Sequence, residues 1–224
     1  MTEQLLLAFE HRAASGSEDF MPAPCNRDAL TWLARWPDWP APALVLYGPP
    51  GCGKSHMARI WAAYSGACRL DPAALPAPAA EPPRTALLDP AEPLGDELAL
   101  LQLYNRLREQ AGHLLLVARR PAAAWPIRLP DLASRLRAAP AVAIGAPDDA
   151  LLAALLVKLF DDRQLAVSEG VISYLVRHME RSFAAARATV EALDRHSLRD
   201  RRPVTVALAR GVLATQTDQQ PEGG

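Results

Sequence analysis

The chain has 224 residues, half of them hydrophobic, and a formal net charge of −1, enough for one α/β domain plus a small second one. The near-neutral charge, without a basic tail, excludes a protein that grips nucleic acid by itself through many phosphate contacts. No apolar run approaches the roughly eighteen residues of a membrane span, Leu5-Leu6-Leu7-Ala8-Phe9 is too short and lacks the basic flank for a signal peptide, and Cys25, Cys52 and Cys68 without metal-ligand spacing fit a reducing, cytoplasmic compartment.

Residues 1–19 read as a flexible tail, in which Gln4-Leu5-Leu6-Leu7-Ala8-Phe9 precedes a polar stretch over 11–19. Two readings stay open there. The hexapeptide folds back as an edge strand or packs on the body, or it is a linear motif whose Leu and Phe side chains fill a partner's pocket while Gln4 makes the polar contact. Residues 20–26 form a proline-punctuated approach to a helix over 27–35, with Ala29, Leu30, Trp32 and Leu33 on its apolar face. Residues 36–42, Trp-Pro-Asp-Trp-Pro-Ala-Pro, break it before an apolar strand over 43–47.

Then comes the stretch on which the reading turns. Gly48-Pro49-Pro50-Gly51-Cys52-Gly53-Lys54-Ser55 matches G-x-x-x-x-G-K-[ST] at every fixed position, with a strand before it and a helix over 56–64 after it. The glycines let successive N–H groups turn inward toward phosphates, with the positive end of the following helix behind them. Lys54 would reach the β- and γ-phosphates of ADP or ATP, and Ser55 would hold Mg²⁺. The loop and His56 form the candidate nucleotide-binding set, in which Cys52 is a small filler. The lead-in over 20–42 is expected over the base of the nucleotide.

A short strand over 67–70 leads into a Pro- and Ala-rich surface connection over 71–84. Residues 85–89 read as a strand ending in Asp89, the position of a second carboxylate that coordinates Mg²⁺ through water; the competing reading is a turn aspartate before Pro90. A helix over 96–110, a buried strand over 113–117, a short helix over 131–137 and a strand over 141–144 follow. Strands alternating with helices imply a parallel sheet, with ligand at the carboxyl ends of the strands. After Gly145-Ala146-Pro147 the pattern is wholly helical, over 148–162, 168–179, 182–198 and 205–214, with starting caps in Asp148, Ser168 and Ser182. The expected fold is α/β, a P-loop domain with a five-stranded parallel sheet over 20–146. A small all-helical domain over 147–215 and a disordered tail over 216–224 complete it.

This order resembles the AAA+ ATPases, whose helical part is a lid over the nucleotide. Leu103-Tyr104-Asn105-Arg106, Leu129-Pro130-Asp131-Leu132-Ala133-Ser134-Arg135-Leu136 and the N-terminal Gln4 to Phe9 are similar, more narrowly, to the Hda family of regulatory inactivators related to the replication initiator DnaA. The resemblance covers nearly the whole chain. It implies that Gln4, Leu5, Leu7 and Phe9 dock on the β sliding clamp of DNA polymerase III, that DNA is reached only through partners, and that Arg135 is an arginine finger for ATP held by DnaA. Homodimer formation stays open. A guanidinium delivered in trans stabilises charge spreading over the γ-phosphoryl oxygens more than it stabilises the ground state. The competing reading pairs Asp131 with Arg135, four apart on one helix face.

The chain departs from that pattern in three places. Pro90 follows Asp89 where a second acidic or polar residue is usual, Val117-Ala118-Arg119 stands at the first sensor, and Ala184 stands at the second, with Arg181 and Arg187 as possible substitutes. Own-site hydrolysis is therefore expected to be slow or absent, and bound nucleotide to act as a conformational pin. Two other functions stay in play: a nucleotide-binding adaptor or helicase loader, and an autonomous P-loop ATPase or small-molecule kinase. Arg199, Arg201 and Arg202 read as a solvated turn.

Overall fold

The computed structural model describes residues 22–75, 83–200 and 202–218. They fall into two compact units that part between Gly145 and Ala146. In the first unit five strands, β1 (Ala43–Tyr47), β2 (Cys68–Leu70), β3 (Thr85–Leu88), β4 (His113–Ala118) and β5 (Ala141–Ala143), form a parallel sheet ordered β2-β3-β4-β1-β5. Helices α1 (Arg27–Ala34), α2 (Lys54–Ser65), α3 (Glu97–Glu109) and α4 (Pro130–Ala138) accompany it.

The central strands read as apolar runs because both their faces are covered. Successive side chains point to opposite faces, so Leu44 and Leu46 join Met57, Ile60, Trp61 and Leu33 in one core, while Ala43 and Val45 join Leu103, Leu107, Leu132 and Leu136 in the other. Parallel pairing also puts every carboxyl end at one edge. Tyr47 pairs with Ala118 and Ala143, and Leu88 with Leu116, so the loops after β1, β3, β4 and β5 leave the sheet side by side.

Of the element boundaries that differ from expectation, three bear on the first unit's loops. Helix α2 starts at Lys54, two residues early, because Gly53 already turns the chain at φ +97° and Met57 N–H donates to its carbonyl at 3.0 Å. Helix α4 starts at Pro130, whose fixed φ and missing N–H suit a first helical position. The last strand ends at Ala143, although Ile144 N–H still donates to Tyr47 at 2.8 Å.

At the opposite edge the two tryptophans of the 36–42 break are built in. Trp39 stacks on Trp61 at 5.4 Å, and His113 meets Trp36 and Trp39 edge-on at 6.0 and 5.6 Å. Burial pushes the His113 imidazole below its usual 6.5, against a carbonyl contact from Pro37 and the charge of Asp38. The unfolded chain then takes the proton first, so this stability is complete above about pH 6.5 and is lost as pH falls through the folded value. Urea denaturation between pH 7.5 and 5 should show the decline, and His113→Gln should flatten it.

The second unit packs α5 (Asp149–Asp161), α6 (Glu169–His178), α7 (Phe183–Asp200) and α8 (Val206–Asp218) around Leu152, Leu155, Phe160, Leu175, Val190 and Val212. Asp148 accepts from Leu151 N–H at 2.8 Å and Ser182 from Ala185 N–H at 3.0 Å, as N-caps do. Ser168 precedes α6 but its hydroxyl makes no capping bond. Helix α8 runs past the expected 214, its last turn tied to α7 by the Thr189 hydroxyl, which donates to Gln216 Oε1 at 3.0 Å. Among the described residues no helix is long and apolar enough to cross a membrane.

Candidate functional site

The 48–55 loop leaves β1 and enters α2 through Gly48, Gly51 and Gly53, at φ +155°, +71° and +97°. The first of these must be glycine for a second reason: a Cβ on Gly48 would overlap the Ile144 carbonyl oxygen. The loop is thereby pressed against the end of β5. There Gly145 N–H also donates to the Cys25 carbonyl at 2.9 Å, bringing the lead-in to the same place. Cys52 is buried inside the loop, its sulfur 3.6 Å from Lys54 Nζ. His56 is buried on the first turn of α2.

Lys54 is only 9 % exposed, and its ammonium donates to the carbonyls of Gly48 and Pro49 at 2.8 and 2.6 Å. The loop's own oxygens thus hold a buried cation where phosphate oxygens would compete for it. Two strands away, Asp89 follows β3, and Ser55 Oγ donates to its carboxylate at 3.0 Å. This pair gives two hard oxygen donors, which fit Mg²⁺, a cation that keeps several waters and takes one or two protein ligands plus phosphates. Consistently, no cluster of three His, Cys, Asp or Glu suited to an all-protein cage occurs among the described residues. The glycine cradle, the buried lysine and the Ser55–Asp89 pair therefore fit a magnesium nucleotide.

Lys54, Ser55 and Asp89 line one side of an open cleft of about 1040 Å³ whose other walls include Pro90, Glu92, Arg119, Arg120, Trp125 and Arg128. Glu92 organises the far wall. Its carboxylate accepts from the backbone N–H groups of Arg119 and Arg120 at 3.0 and 3.2 Å and pairs with the Arg120 guanidinium at 3.1 Å. The segment after β4 is therefore held by an acid that the sequence reading passed over, 27 positions upstream.

Arg135 is not among the residues lining this cleft. It is half-buried on α4 with its guanidinium carbon 5.8 Å from the centre of the Tyr104 ring, and its Nε has no hydrogen-bond partner among the described residues. Neither Asp131 nor any other described carboxylate forms an ion pair with it. Burial pushes the Tyr104 phenol up, against the opposing pull of Arg135 and Arg108, so the ring presents a neutral face. The last turn of α4 therefore carries a cation with no anion paired to it among the described residues, and this cation does not line the cleft of the phosphate cradle.

Residues 148–213 match the family described as Hda, lid domain. The fold is similar to domain III of the replication initiation protein DnaA from Thermotoga maritima, with a TM-score of 0.68 at 13 % identity over 88 % of this chain and 94 % of that one. It is also similar to AMPPCP-bound DnaA from Aquifex aeolicus (TM-score 0.60, 15 % identity, 81 % of this chain and 68 % of that one). A third likeness is to the RuvB Holliday junction branch migration motor of Thermotoga maritima (TM-score 0.60, 13 % identity, 95 % and 67 %). The chain thus has the fold of DnaA domain III, and its residues 148–213 match the Hda lid domain.

Within residues 148–213, Ala184 is exposed on the first turn of α7. Of its two expected substitutes, Arg181 pairs with Asp149 at 2.8 Å and Arg187 is half-buried within the unit. Arg199 lies 3.1 Å from His196 Nδ1 and Arg202 is exposed, while Arg201 lies outside the described residues. So do Gln4, Leu5, Leu7 and Phe9. The sequence reading also missed Glu97, whose carboxylate accepts from Arg128 and Leu129 N–H ahead of α4. An acid at a helix start reads in sequence as an ordinary first-turn residue.

Proposed function

We propose that this chain is a negative regulator of replication initiation in the cytoplasm. It holds ADP or ATP with Mg²⁺ in its own P-loop through Gly48–Ser55, His56 and Asp89, and docks on the β sliding clamp through Gln4, Leu5, Leu7 and Phe9. It delivers Arg135 to ATP bound by DnaA; hydrolysis there leaves the initiator in its inactive ADP form. The observation that carries this reading is the state of Arg135. Among the described residues its charge has no ion-pair partner, it is not among the residues lining the chain's own cleft, its helix resembles the Hda type in sequence, and residues 148–213 match the Hda lid domain.

The chemistry follows from the chain's own groups. No carboxylate has to be released before the Arg135 guanidinium meets a γ-phosphoryl oxygen, so its interaction is strongest where charge develops. Mg²⁺ on Ser55 and Asp89 would supply charge neutralisation at the phosphates. Own-site hydrolysis is disfavoured, because Pro90 follows Asp89, and two further acids of the cleft, Glu92 and Glu97, are engaged by backbone amides of Arg119, Arg120, Arg128 and Leu129. The nucleotide then braces the first unit and is not consumed.

Purified protein mixed with DNA-loaded clamp and ATP-bound DnaA tests the proposal. Hydrolysis accelerated only when all three are present is the expected result. Turnover without DnaA would instead mean an autonomous ATPase, and clamp binding without acceleration an adaptor. Removing residues 1–9 should abolish clamp binding and leave nucleotide affinity unchanged, since docking by a short tail acts by raising local concentration. Loss of both would contradict a tethered motif.

A further inference from the structure

Helices α3 and α4 meet through two pairs of contacts spaced alike. Glu97, the first residue of α3, accepts backbone N–H bonds from Arg128 at 3.1 and 3.0 Å and from Leu129 at 2.8 Å. Seven residues on, Tyr104 faces Arg135, which lies six residues beyond Leu129. Residues 97, 101 and 104 share one face of a helix, and Leu101 and Leu129 pack on the same core. Two helices running side by side cover about 10 Å in seven residues, so a hold on the start of α4 sets where Arg135 arrives.

We infer that Glu97 and Tyr104 position the arginine finger, Glu97 by fixing the start of α4 and Tyr104 by giving the guanidinium an aromatic face to rest on. The inference rests on reading Arg135 as that finger, and it deepens that reading. A long, flexible side chain loses rotamer freedom when it engages a phosphate, and ordering it beforehand lowers that cost. A carboxylate would order it more tightly, but would compete with the phosphate for the same charge. An aromatic face attracts the cation without accepting a conventional hydrogen bond from it, so the terminal N–H groups are not committed to a carboxylate. Glu97 has the matching role at the other end: Oε2 alone accepts both N–H groups, so one well-placed oxygen is enough.

The test measures clamp-dependent hydrolysis of DnaA-bound ATP against the concentration of this protein. Tyr104→Leu and Glu97→Ala should each lower the maximal rate about tenfold, with the half-saturating concentration and clamp binding unchanged, and Tyr104→Leu should also leave nucleotide affinity unchanged. Tyr104→Phe keeps the face and Glu97→Gln keeps the oxygen, so both should retain the wild-type rate. In an Arg135→Ala background Tyr104→Leu should have no further effect, because its role acts through that arginine. If Arg135→Ala removes the stimulation while Tyr104→Leu and Glu97→Ala keep it, the positioning inference fails and the finger stands. If Arg135→Ala itself keeps the stimulation, the finger reading fails first. Should Tyr104→Leu not fold, the Arg135 Nε–H resonance of the wild-type protein decides. An upfield ring-current shift is expected, and its absence would overturn the inference.

Discussion

Arg135→Ala should leave a protein that folds, binds nucleotide and docks on the clamp, yet no longer accelerates hydrolysis by DnaA. Arginine fingers in related phosphoryl-transfer systems are worth on the order of 10³ to 10⁵ in rate, about 4 to 7 kcal/mol of barrier. The fold should tolerate the change, since among the described residues the side chain makes no ion pair and leaves no buried carboxylate behind. Its contact with the Tyr104 face is lost. Arg135→Lys should recover little, because an ammonium keeps the charge and lacks the planar fork. Single-turnover hydrolysis of radiolabelled ATP preloaded on DnaA checks both variants. A rate for Arg135→Ala within threefold of wild type would remove the central claim.

Lys54→Ala should have the second-largest effect, and on a different quantity. Lys54 is the buried cation of the cradle, and in the absence of phosphate it is satisfied by the Gly48 and Pro49 carbonyls. Losing a hydrogen bond to a charged group costs about 1.5 to 3 kcal/mol, on the order of ten- to a hundredfold in Kd for ADP. Thermal unfolding reads this directly. At a hundred times its Kd, a ligand that binds only the folded state stabilises by about 2.7 kcal/mol, roughly 10 °C for a unit of this size. With Kd raised a hundredfold, the same concentration gives about 0.4 kcal/mol. The nucleotide-dependent shift, taken from each variant's own melting point without nucleotide, should therefore shrink to a degree or two. An undiminished shift would mean that the 48–55 loop does not hold the ligand.

These two residues were legible in the sequence to different depths. Lys54 belongs to a local device: the left-handed glycines, the strand before and the helix after lie within a single run of chain, so eight consecutive residues announce it. The buried strands were legible for a similar reason, since a strand covered on both faces must be apolar at nearly every position. Arg135 was visible only through the string around it. Its competing interpretation, an ion pair with Asp131, depends on rotamers that spacing along a helix permits but does not require.

What the chain's order of residues determined by itself is the phosphate cradle, the alternation that makes a parallel sheet, and the change to helices after Gly145. Each of these is a requirement on neighbours in sequence. What only tertiary structure decided is which other distant groups meet: Glu92 with the amides after β4 across 27 and 28 positions, Glu97 with the approach to α4 across 31 and 32, and Tyr104 with Arg135. The carboxyl ends of parallel strands gather at one edge whatever the loops contain, and a single acid or tyrosine carries no periodic signal. Those pairings became readable only once the sheet had brought them together.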